Sequence, residues 1–229
     1  MNIVILTGAG VSAESGLGTF RDKDGLWTQY DLADVATPEG FARDPAKVHA
    51  FYNARRANAR AALHNAAHSA IARLQASDHA VTLVTQNVDD LHAAAGSTDV
   101  IHMHGRLSRA LCAACDYRWP SPEQMSPDDP CPSCRQPAIR PDIVWFGEMP
   151  YFMDDIQTAL LTADLFVAIG TSGTVYPAAG FVEIADAAGA DTLELNLEPS
   201  DAQSAFADAR YGLATDIVPA WVDEMIAKG

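Results

Sequence analysis

The stretch Asn2-Ile-Val-Ile-Leu-Thr-Gly-Ala-Gly-Val-Ser-Ala-Glu-Ser-Gly16 leads from a short apolar run directly into a glycine-containing turn. The run from Ile3 to Leu6 is typical of a strand that is buried on both faces of a parallel α/β sheet. Gly8, Gly10 and Ala13 fit the pattern G-x-G-x-x-G/A, in which absent side chains let backbone N–H groups approach a pyrophosphate. A tight strand-to-helix turn without a ligand needs the same glycines, so the pattern alone leaves both interpretations open.

The residues after this turn depart from the arrangement of NAD-linked dehydrogenases. Those enzymes have an uninterrupted helix here, followed by a second strand that ends in an acidic residue about twenty positions on. In this chain Gly16 and Gly18 interrupt the helix early, and the stretch Thr19-Phe-Arg-Asp-Lys-Asp-Gly-Leu-Trp27 follows. Its aromatic and arginine side chains are typical of a loop that covers a ligand. We therefore expect a nucleotide site of a different kind.

Length and composition bound the class of protein. A chain of 229 residues with 48% hydrophobic content is long enough for one sizeable domain with smaller insertions. It has no apolar run of eighteen residues, and the first strand leaves no room for a secretion signal, so we expect a cytoplasmic protein. Thirty acidic and fifteen basic residues give a formal charge of −15. This charge disfavours nucleic acid and anionic membranes as partners, although a well-solvated surface explains it equally well.

All four cysteines lie in two pairs, Cys112-Ala-Ala-Cys115 and Cys131-Pro-Ser-Cys134, with fifteen residues between the pairs. This spacing predicts one closed, tetrahedral and therefore structural zinc site. Two disulfides are disfavoured in a chain without a secretion signal, and a redox C-x-x-C motif needs no duplicate. A DNA-binding zinc ribbon is disfavoured by the negative charge. The prolines between the pairs predict an irregular insertion whose folding depends on the metal.

Further apolar runs predict the other strands of the sheet. Ala80–Thr85 ends in Gln86-Asn-Val-Asp89, and Leu165–Ile169 ends in the small-residue turn Gly170-Thr-Ser172. Polar and small residues at the carboxyl ends of parallel strands are where such sheets place ligand chemistry, although a turn capped by Asn and Asp explains residues 86–89 without a ligand. Thr192–Asn196 predicts another strand, and residues 218–226 predict a terminal amphipathic helix.

Residues 100–105 predict a short strand, Val100-Ile-His-Met-His-Gly105. In an extended chain, His102 and His104 point to the same face. A lone histidine in an apolar strand is usually a satisfied core group, so this stretch by itself assigns neither residue a role.

Taken together, Gly8-Ala-Gly-Val-Ser-Ala-Glu-Ser-Gly16 and Thr19-Phe-Arg21 resemble the signature of the sirtuins, which are NAD-dependent protein-lysine deacylases. The resemblance is strongest to the bacterial, CobB-like class III branch, and it covers essentially the whole chain. It implies an α/β fold with a Rossmann-like parallel sheet, an inserted helical module and a small zinc-binding module. The implied boundaries are 1–29, 76–106 and 142–229 for the NAD-binding domain, 30–75 for the helical module and 107–141 for the zinc-binding module.

The resemblance also implies the reaction. NAD is consumed as a cosubstrate: the acyl oxygen of an acyl-lysine attacks the ribose carbon that bears nicotinamide, nicotinamide leaves, and 2′-O-acyl-ADP-ribose and free lysine result. The expected partners are acylated proteins, with no nucleic acid or membrane, and a monomer is favoured. An NAD-linked dehydrogenase, a catalytically silent NAD or ADP-ribose sensor and a mono-ADP-ribosyltransferase remain as alternatives.

The site residues follow from the same resemblance. His104 is implied as the general base, which suits a side chain whose unperturbed pKa is about 6.5, and Asn87 and Asp89 are implied in the nicotinamide pocket. Val144, Phe146, Gly147 and Glu148 are implied to pair with the substrate peptide as an added strand. The implied NAD contacts are Gly8, Ala9, Gly10, Ser12, Glu14, Phe20, Arg21, Trp27, Gln86, Asn87, Asp89, Gly170, Thr171, Ser172, Asn196, Leu197, Glu198 and Ala214.

The stretch Phe51-Tyr-Asn-Ala-Arg55 concerns acyl selectivity. Tyr52 and Arg55 are three residues apart on a predicted helix, so both side chains reach one place. Spacing alone fits an ordinary surface helix equally well. The resemblance implies that the pair binds the carboxylate of succinyl- or malonyl-lysine, because a guanidinium offers a bidentate fork for a carboxylate.

Overall fold

The computed structural model describes residues 1–18 and 31–228. In chain order its strands are β1 (Asn2–Thr7), β2 (Ala80–Thr85), β3 (Ile101–His102), β4 (Gly105–Cys112), β5 (Arg118–Pro120), β6 (Ile139–Ile143), β7 (Leu165–Ile169), β8 (Asp191–Asn196) and β9 (Asp208–Tyr211). Its helices are α1 (Gly10–Ala13), α2 (Leu32–Val35), α3 (Pro38–Arg43), α4 (Pro45–Ala61), α5 (Ala66–Gln75), α6 (Leu91–Ala94), α7 (Met153–Leu161), α8 (Phe181–Ala187) and α9 (Ala214–Lys228).

Six of the strands form a parallel sheet in the order β3-β2-β1-β7-β8-β9. The predicted α/β fold with a parallel sheet is thereby confirmed. Alternate residues of β1 face opposite layers of the core: Ile3 and Ile5 pack in the cluster that includes α5 and α9, and Val4 and Leu6 pack in the cluster that includes α7 and α8. The continuous apolar run of β1 is explained because both faces of the sheet are covered.

One predicted strand of the parallel sheet is shorter in the structure, and one strand of that sheet was not predicted. β3 ends at His102, and Met103 and His104 form a turn, so the alternation of an extended strand does not relate the two histidines as we expected. β9 at the opposite edge of the sheet was not predicted. Its four residues are exposed or half-buried, and its register comes from pairing with β8 rather than from an apolar pattern.

The segment that carries the cysteines is more regular than predicted. β4 pairs with β5 and with β6 to form a three-stranded antiparallel sheet, with a register shift between Gly105 and Ala110. We call residues 105–143 the zinc-binding segment, because its first and last strands extend two residues beyond the predicted bounds of 107–141 on each side. The division of the chain into three modules stays a prediction.

Helices α2 to α5 lie between β1 and β2 in the chain. Asp44 caps α4 by accepting a hydrogen bond from the Lys47 N–H, and Asn65 caps α5 by accepting bonds from two N–H groups. Phe51 and Tyr52 of α4 are buried against Leu107 and Trp145. This packing fixes one side of α4 to the end of the zinc-binding segment. Within residues 1–18 and 31–228, none of the helices is long and apolar enough to cross a bilayer.

Candidate active site

A cavity of about 810 Å³ opens at the carboxyl ends of β1, β2, β7 and β8. The strand order reverses between β1 and β7, and open α/β sheets place their ligands at such switch points. The cavity also reaches α4 and residues 143–150, so it lies between the large sheet and the zinc-binding segment. This position leaves room for ligands on two sides, one at the strand ends and one beside α4.

The cavity brings together every predicted NAD, catalytic and substrate residue in the described part of the chain. Those that line it are Gly8, Ala9, Gly10, Ser12, Glu14, Tyr52, Arg55, Gln86, Asn87, Asp89, His104, Val144, Phe146, Gly147, Glu148, Gly170, Thr171, Ser172, Asn196, Leu197, Glu198 and Ala214. Phe20, Arg21 and Trp27 lie outside the described residues. The individual roles of all these side chains stay predictions.

Gly8 and Gly10 are required by a close contact between two backbone segments. The Gly10 N–H donates to the Gly170 carbonyl at 2.8 Å, and a Cβ on either Gly8 or Gly10 would lie 2.7 Å from an atom of Gly170. Such a distance is shorter than real Cβ contacts allow. The glycines therefore let the loops after β1 and β7 touch, a task that requires no ligand; whether they also contact NAD stays a prediction.

The loops around the cavity are further joined by side chains. Asn196 donates from Nδ2 to the Thr171 carbonyl at 2.8 Å, and Gln86 donates from Nε2 to Thr171 Oγ1 at 3.2 Å. Glu14 accepts hydrogen bonds from the backbone N–H and the hydroxyl of Thr215 at the start of α9. Glu14 therefore holds α9 against the first loop, which is a structural contact in addition to its place on the cavity wall.

Ser12, Asn87 and Asp89 form a buried polar network on the cavity wall. Ser12 Oγ donates to Asp89 Oδ2 at 3.2 Å and accepts from Asn87 Nδ2 at the same distance. Asn87 also donates to the Gly8 carbonyl, and Asp89 Oδ1 accepts from the Leu91 N–H. Burial raises the pKa of Asp89, while these hydrogen bonds and Arg55 oppose the rise. The network fixes an amide and a carboxyl group where a ring amide such as nicotinamide can be recognised.

His104 stands in the turn between β3 and β4 with a defined ring orientation. Its Nδ1 lies 3.1 Å from the Gln86 carbonyl, which can only accept, so Nδ1 carries the proton and Nε2 is left as an acceptor. Burial lowers the pKa of His104, and the bond to Gln86 partly opposes this. The ring is therefore neutral near pH 7 and has the protonation state of a general base.

Two buried histidines behind this wall were not predicted as part of the site. His68 Nε2 lies 3.4 Å from Ser12 Oγ, and its ring centre is 4.8 Å from that of His92. His92 in turn contacts the Thr7 hydroxyl at 2.9 Å. Burial lowers the pKa of His68 to about 4 and that of His92 to about 3, so both rings are neutral. His68 and Ser12 are 56 residues apart in the chain, so only the tertiary fold brings them together.

Tyr52 and Arg55 lie together at the α4 side of the cavity. The Tyr52 hydroxyl accepts a hydrogen bond from Trp145 Nε1 at 2.9 Å, and burial raises the Tyr52 pKa. The Arg55 guanidinium carbon lies 5.8 Å from the centres of the Phe51 and Tyr52 rings. Burial lowers the pKa of Arg55, but an arginine stays protonated at neutral pH. The cavity thus has a cation and a neutral hydroxyl at one end.

Residues 144–148 form an anchored loop at the cavity rim. The Val144 N–H donates to the His104 carbonyl at 2.9 Å. Arg140 lies over the Trp145 ring, 3.5 Å from its centre, and donates two hydrogen bonds to the Glu148 carboxylate at 2.7 and 2.9 Å. Glu148 also accepts from the Trp145 N–H. Burial acts to raise the pKa of Glu148, but Arg140 and the Trp145 N–H together more than offset this, so the pKa is lowered. The Glu148 carboxylate is therefore engaged within the loop.

The four cysteines converge in the zinc-binding segment. Their sulfur atoms all lie within 4.8 Å of one another, with Cys112 to Cys134 at 3.6 Å and Cys115 to Cys131 at 3.8 Å. A tetrahedron with Zn–S bonds of about 2.3 Å has S···S edges of about 3.8 Å, whereas a disulfide needs about 2.05 Å. The four thiolates are positioned to bind one zinc ion. The cavity lining contains none of these cysteines, which fits a structural metal.

Comparisons with known proteins agree with this geometry. A sequence profile described as the Sir2 family matches residues 8–177. The chain is 58% identical over 233 residues to an NAD-dependent protein deacylase of Caulobacter vibrioides, covering 100% of this chain and 98% of that protein. It is 52% identical over 230 residues to an NAD-dependent protein deacylase of Vibrio vulnificus, covering 99% of this chain and 94% of that protein.

Solved structures show the same likeness. A Sir2 homolog–NAD complex superposes with a TM-score of 0.91 at 38% identity, covering 99% of this chain and 89% of that chain. A Sir2 structure with an inhibitor, 2′-O-acetyl-ADP-ribose and a deacetylated peptide superposes with a TM-score of 0.82 at 26% identity, covering 97% of this chain and 93% of that chain.

Proposed function

The chain belongs to the Sir2 family, and we infer from this and from its cavity that it is an NAD-dependent protein-lysine deacylase. It transfers the acyl group of a modified lysine to ADP-ribose and releases nicotinamide. The observation that carries this conclusion is the convergence on one cavity of residues from four strand ends, α4 and the loop 144–148. A dehydrogenase that acts on a small substrate would not need a cavity that extends from the strand ends to α4 and the loop 144–148.

The proposed roles follow the order of bond changes. The nicotinamide ring occupies the pocket of Ser12, Asn87 and Asp89, and the acyl oxygen attacks the ribose carbon as nicotinamide leaves. His104 Nε2 then accepts a proton from a ribose hydroxyl, whose oxygen attacks the acyl carbon. Water completes the release of lysine and of 2′-O-acyl-ADP-ribose. The support for His104 as the base is its neutral ring, with Nδ1 committed to Gln86.

We propose further that the enzyme accepts succinyl- and malonyl-lysine in addition to acetyl-lysine. A negatively charged acyl group entering a chain of formal charge −15 needs a local cation, and Arg55 supplies one at the α4 end of the cavity. The neutral Tyr52 hydroxyl supplies a donor beside it while accepting the Trp145 N–H. Acetyl-lysine brings no carboxylate, so it makes no use of this pair.

The decisive experiment incubates the protein and NAD with acetyl-, succinyl- and malonyl-lysine peptides of one sequence, and follows nicotinamide release and peptide mass. Losing one partner of a buried charged contact costs about 2–5 kcal/mol, which is roughly 30- to 4,000-fold in kcat/KM. We expect Arg55→Met to reduce desuccinylation by this factor, Tyr52→Phe to reduce it less, and both to leave deacetylation largely intact. The exposed Arg60 on the same helix provides the control, Arg60→Met.

Four outcomes would contradict the proposal in different ways. Nucleotide binding without nicotinamide release would indicate an NAD sensor, and NADH formation would indicate a dehydrogenase. Equal loss of both activities in Arg55→Met would mean that Arg55 serves the fold or NAD. Transfer of ADP-ribose to the peptide without loss of its acyl group would indicate a mono-ADP-ribosyltransferase.

The setting of the reaction is also a proposal. The chain's acidic balance favours cationic, lysine-rich protein segments as partners over nucleic acid or anionic membranes. We propose a monomer that acts on acylated proteins in the cytoplasm, where the four thiols stay reduced and available to zinc.

A further inference from the structure

Helix α4 carries two neighbouring stripes of side chains with different tasks. At 100° per residue, Tyr52, Arg55 and Ala59 share one stripe, which lines the cavity. Asn53, Arg56 and Arg60 share the next stripe around the helix, which faces the zinc-binding segment. Any rotation or sliding of α4 therefore moves both stripes together.

Asn53 makes a two-way contact with the zinc-binding segment. Its Nδ2 donates to the Met125 carbonyl at 2.9 Å, and its Oδ1 accepts from the Met125 N–H at 3.0 Å. Met125 is 3% exposed and packs in one apolar cluster with Cys112 and Cys131. The Met125 backbone groups that Asn53 bonds to are therefore held in place by the folding of the segment around its metal site.

Arg56 adds a second attachment one turn further along α4. Its Nε donates to the Leu107 carbonyl at 2.9 Å, and its Nη1 donates to Asn53 Oδ1 at 2.8 Å and to the Glu123 carbonyl at 3.4 Å. The side chain is 1% exposed, so these bonds are shielded from water. A buried guanidinium bonded to carbonyls from β4 and from the loop after β5 fixes the register of α4 along its axis.

We propose that Asn53 and Arg56 are positioning residues that set acyl selectivity by holding α4 in register against the zinc-binding segment. The inference rests on the proposed role of Tyr52 and Arg55 as the acyl-carboxylate pair. A charged contact depends steeply on position, because misplacing a binding group by about 1 Å can cost about 100-fold, whereas an acetyl group needs only an apolar space of the right size. Weakening the attachment should therefore affect charged acyl groups most.

The test compares Asn53→Ala, Arg56→Met and the milder Asn53→Asp, which keeps both acceptor contacts of the side chain. Arg60→Met is the matched control, because Arg60 lies in the same stripe and, among residues 1–18 and 31–228, its ion pair is an exposed 3.5 Å contact with Glu123. For each protein, zinc content, Tm and the Kd of a succinyl-lysine peptide are measured. The values of kcat and KM are then determined for succinyl- and acetyl-lysine peptides of one sequence.

We expect Asn53→Ala and Arg56→Met to keep one zinc ion, and to raise KM and Kd for the succinyl peptide by about 10-fold. KM for the acetyl peptide and both kcat values should change less than about threefold. Asn53→Asp should fall between Asn53→Ala and the unmodified protein, and Arg60→Met should match the unmodified protein. If Asn53→Ala or Arg56→Met loses its zinc, the test rests on Asn53→Asp. A ratio of succinyl to acetyl KM that is unchanged in Asn53→Asp would overturn the inference.

Equal losses on both acyl groups in zinc-loaded variants would also overturn it, because a merely structural role moves both. Failure of the proposed function has a separate signature. An unmodified protein that removes acetyl but never succinyl groups refutes the charged-acyl pocket, and this inference with it. An unmodified protein that removes both, with variants of unchanged selectivity, refutes only the positioning role.

Discussion

Gly8 provides a test of what the first glycine-containing loop does, because the structure gives it a task that needs no nucleotide. The Cβ of Gly8→Ala would lie 2.7 Å from the Gly170 carbonyl oxygen and 2.8 Å from Thr171 Cα. Ordinary contact begins near 3.4 Å, so two backbone segments must separate by more than half an ångström. Both atoms belong to main chain, and no flexible side chain can move aside to make room.

The cost of this separation follows from overpacking, which destabilises proteins by about 1–3 kcal/mol. For a chain of this length each kcal/mol lowers Tm by about 2–4 °C, so we expect a fall of about 2–12 °C for Gly8→Ala. The fall should appear in the NAD-free protein. KM for NAD should rise as well, because the separated loops form the floor of the cavity.

The assay is thermal unfolding without and with NAD, alongside initial rates over a range of NAD concentrations. Gly180→Ala is the control: the nearest atoms to its Cβ in the described part of the chain belong to side chains, the flexible end of Glu183 at 3.2 Å and Tyr176 ring carbons at 3.5 and 4.0 Å, so Tm should change little. If Gly8→Ala kept the NAD-free Tm and only raised KM for NAD, the contact with Gly170 would carry no energy. The loop would then serve the ligand alone.

Three further predictions concern the catalytic base, the metal and acid stability. His104→Ala should keep NAD binding while lowering deacylation about 10²–10⁴-fold. In the unmodified enzyme, kcat/KM should fall with decreasing pH at a midpoint below 6.5, because burial lowers the pKa of the base. Wild-type turnover in the variant, or a midpoint above 6.5, would contradict this prediction. Metal analysis should find one zinc per chain, and Cys112→Ser should lose both the metal and the order of the zinc-binding segment, whereas a fully active, zinc-free protein would refute the site. The free energy of unfolding should decrease as the pH falls from about 6.5 towards 4, because His68 and His92 are protonated near their ordinary pKa in the unfolded chain, whereas their pKa values in the folded protein are about 4 and about 3. The loss is at most about 1.4 kcal/mol per pH unit for each residue. Urea unfolding curves that do not shift over this range would contradict the prediction.

The sequence was informative wherever one local pattern determined one structure. The largely apolar runs of β1, β2, β7 and β8 predicted the inner strands, because a strand covered on both faces has apolar residues at most positions. The two C-x-x-C pairs predicted the cluster of thiols, because a tetrahedral metal dictates ligand number and spacing. The resemblance to the sirtuins supplied the predicted site residues, and all of those in the described part of the chain line the cavity.

Features that arise from contacts between distant segments of the chain were harder to predict from the sequence. The bond that occupies the Gly10 N–H involves Gly170, and nothing near Gly10 in the sequence indicates that partner. Glu148 was predicted to pair with the substrate as part of an added strand, and that stays a prediction, but the sequence did not indicate that its carboxylate bonds to Arg140 and to the Trp145 N–H. β9 escaped prediction because an edge strand takes its register from its neighbour and needs no apolar run.

The position of β1 between β2 and β7 has a consequence for how the chain is made. Ribosomes add about 5–20 residues per second, and β7 follows β1 by about 160 residues, so one edge of β1 waits roughly 8–30 s for its partner during translation. Throughout that interval a largely apolar strand has an unpaired edge, which is a site for aggregation. Synonymous codons that shorten this delay, or chaperones that cover the unpaired edge of β1, should therefore govern the yield of soluble enzyme. This effect should be independent of the stability of the folded protein.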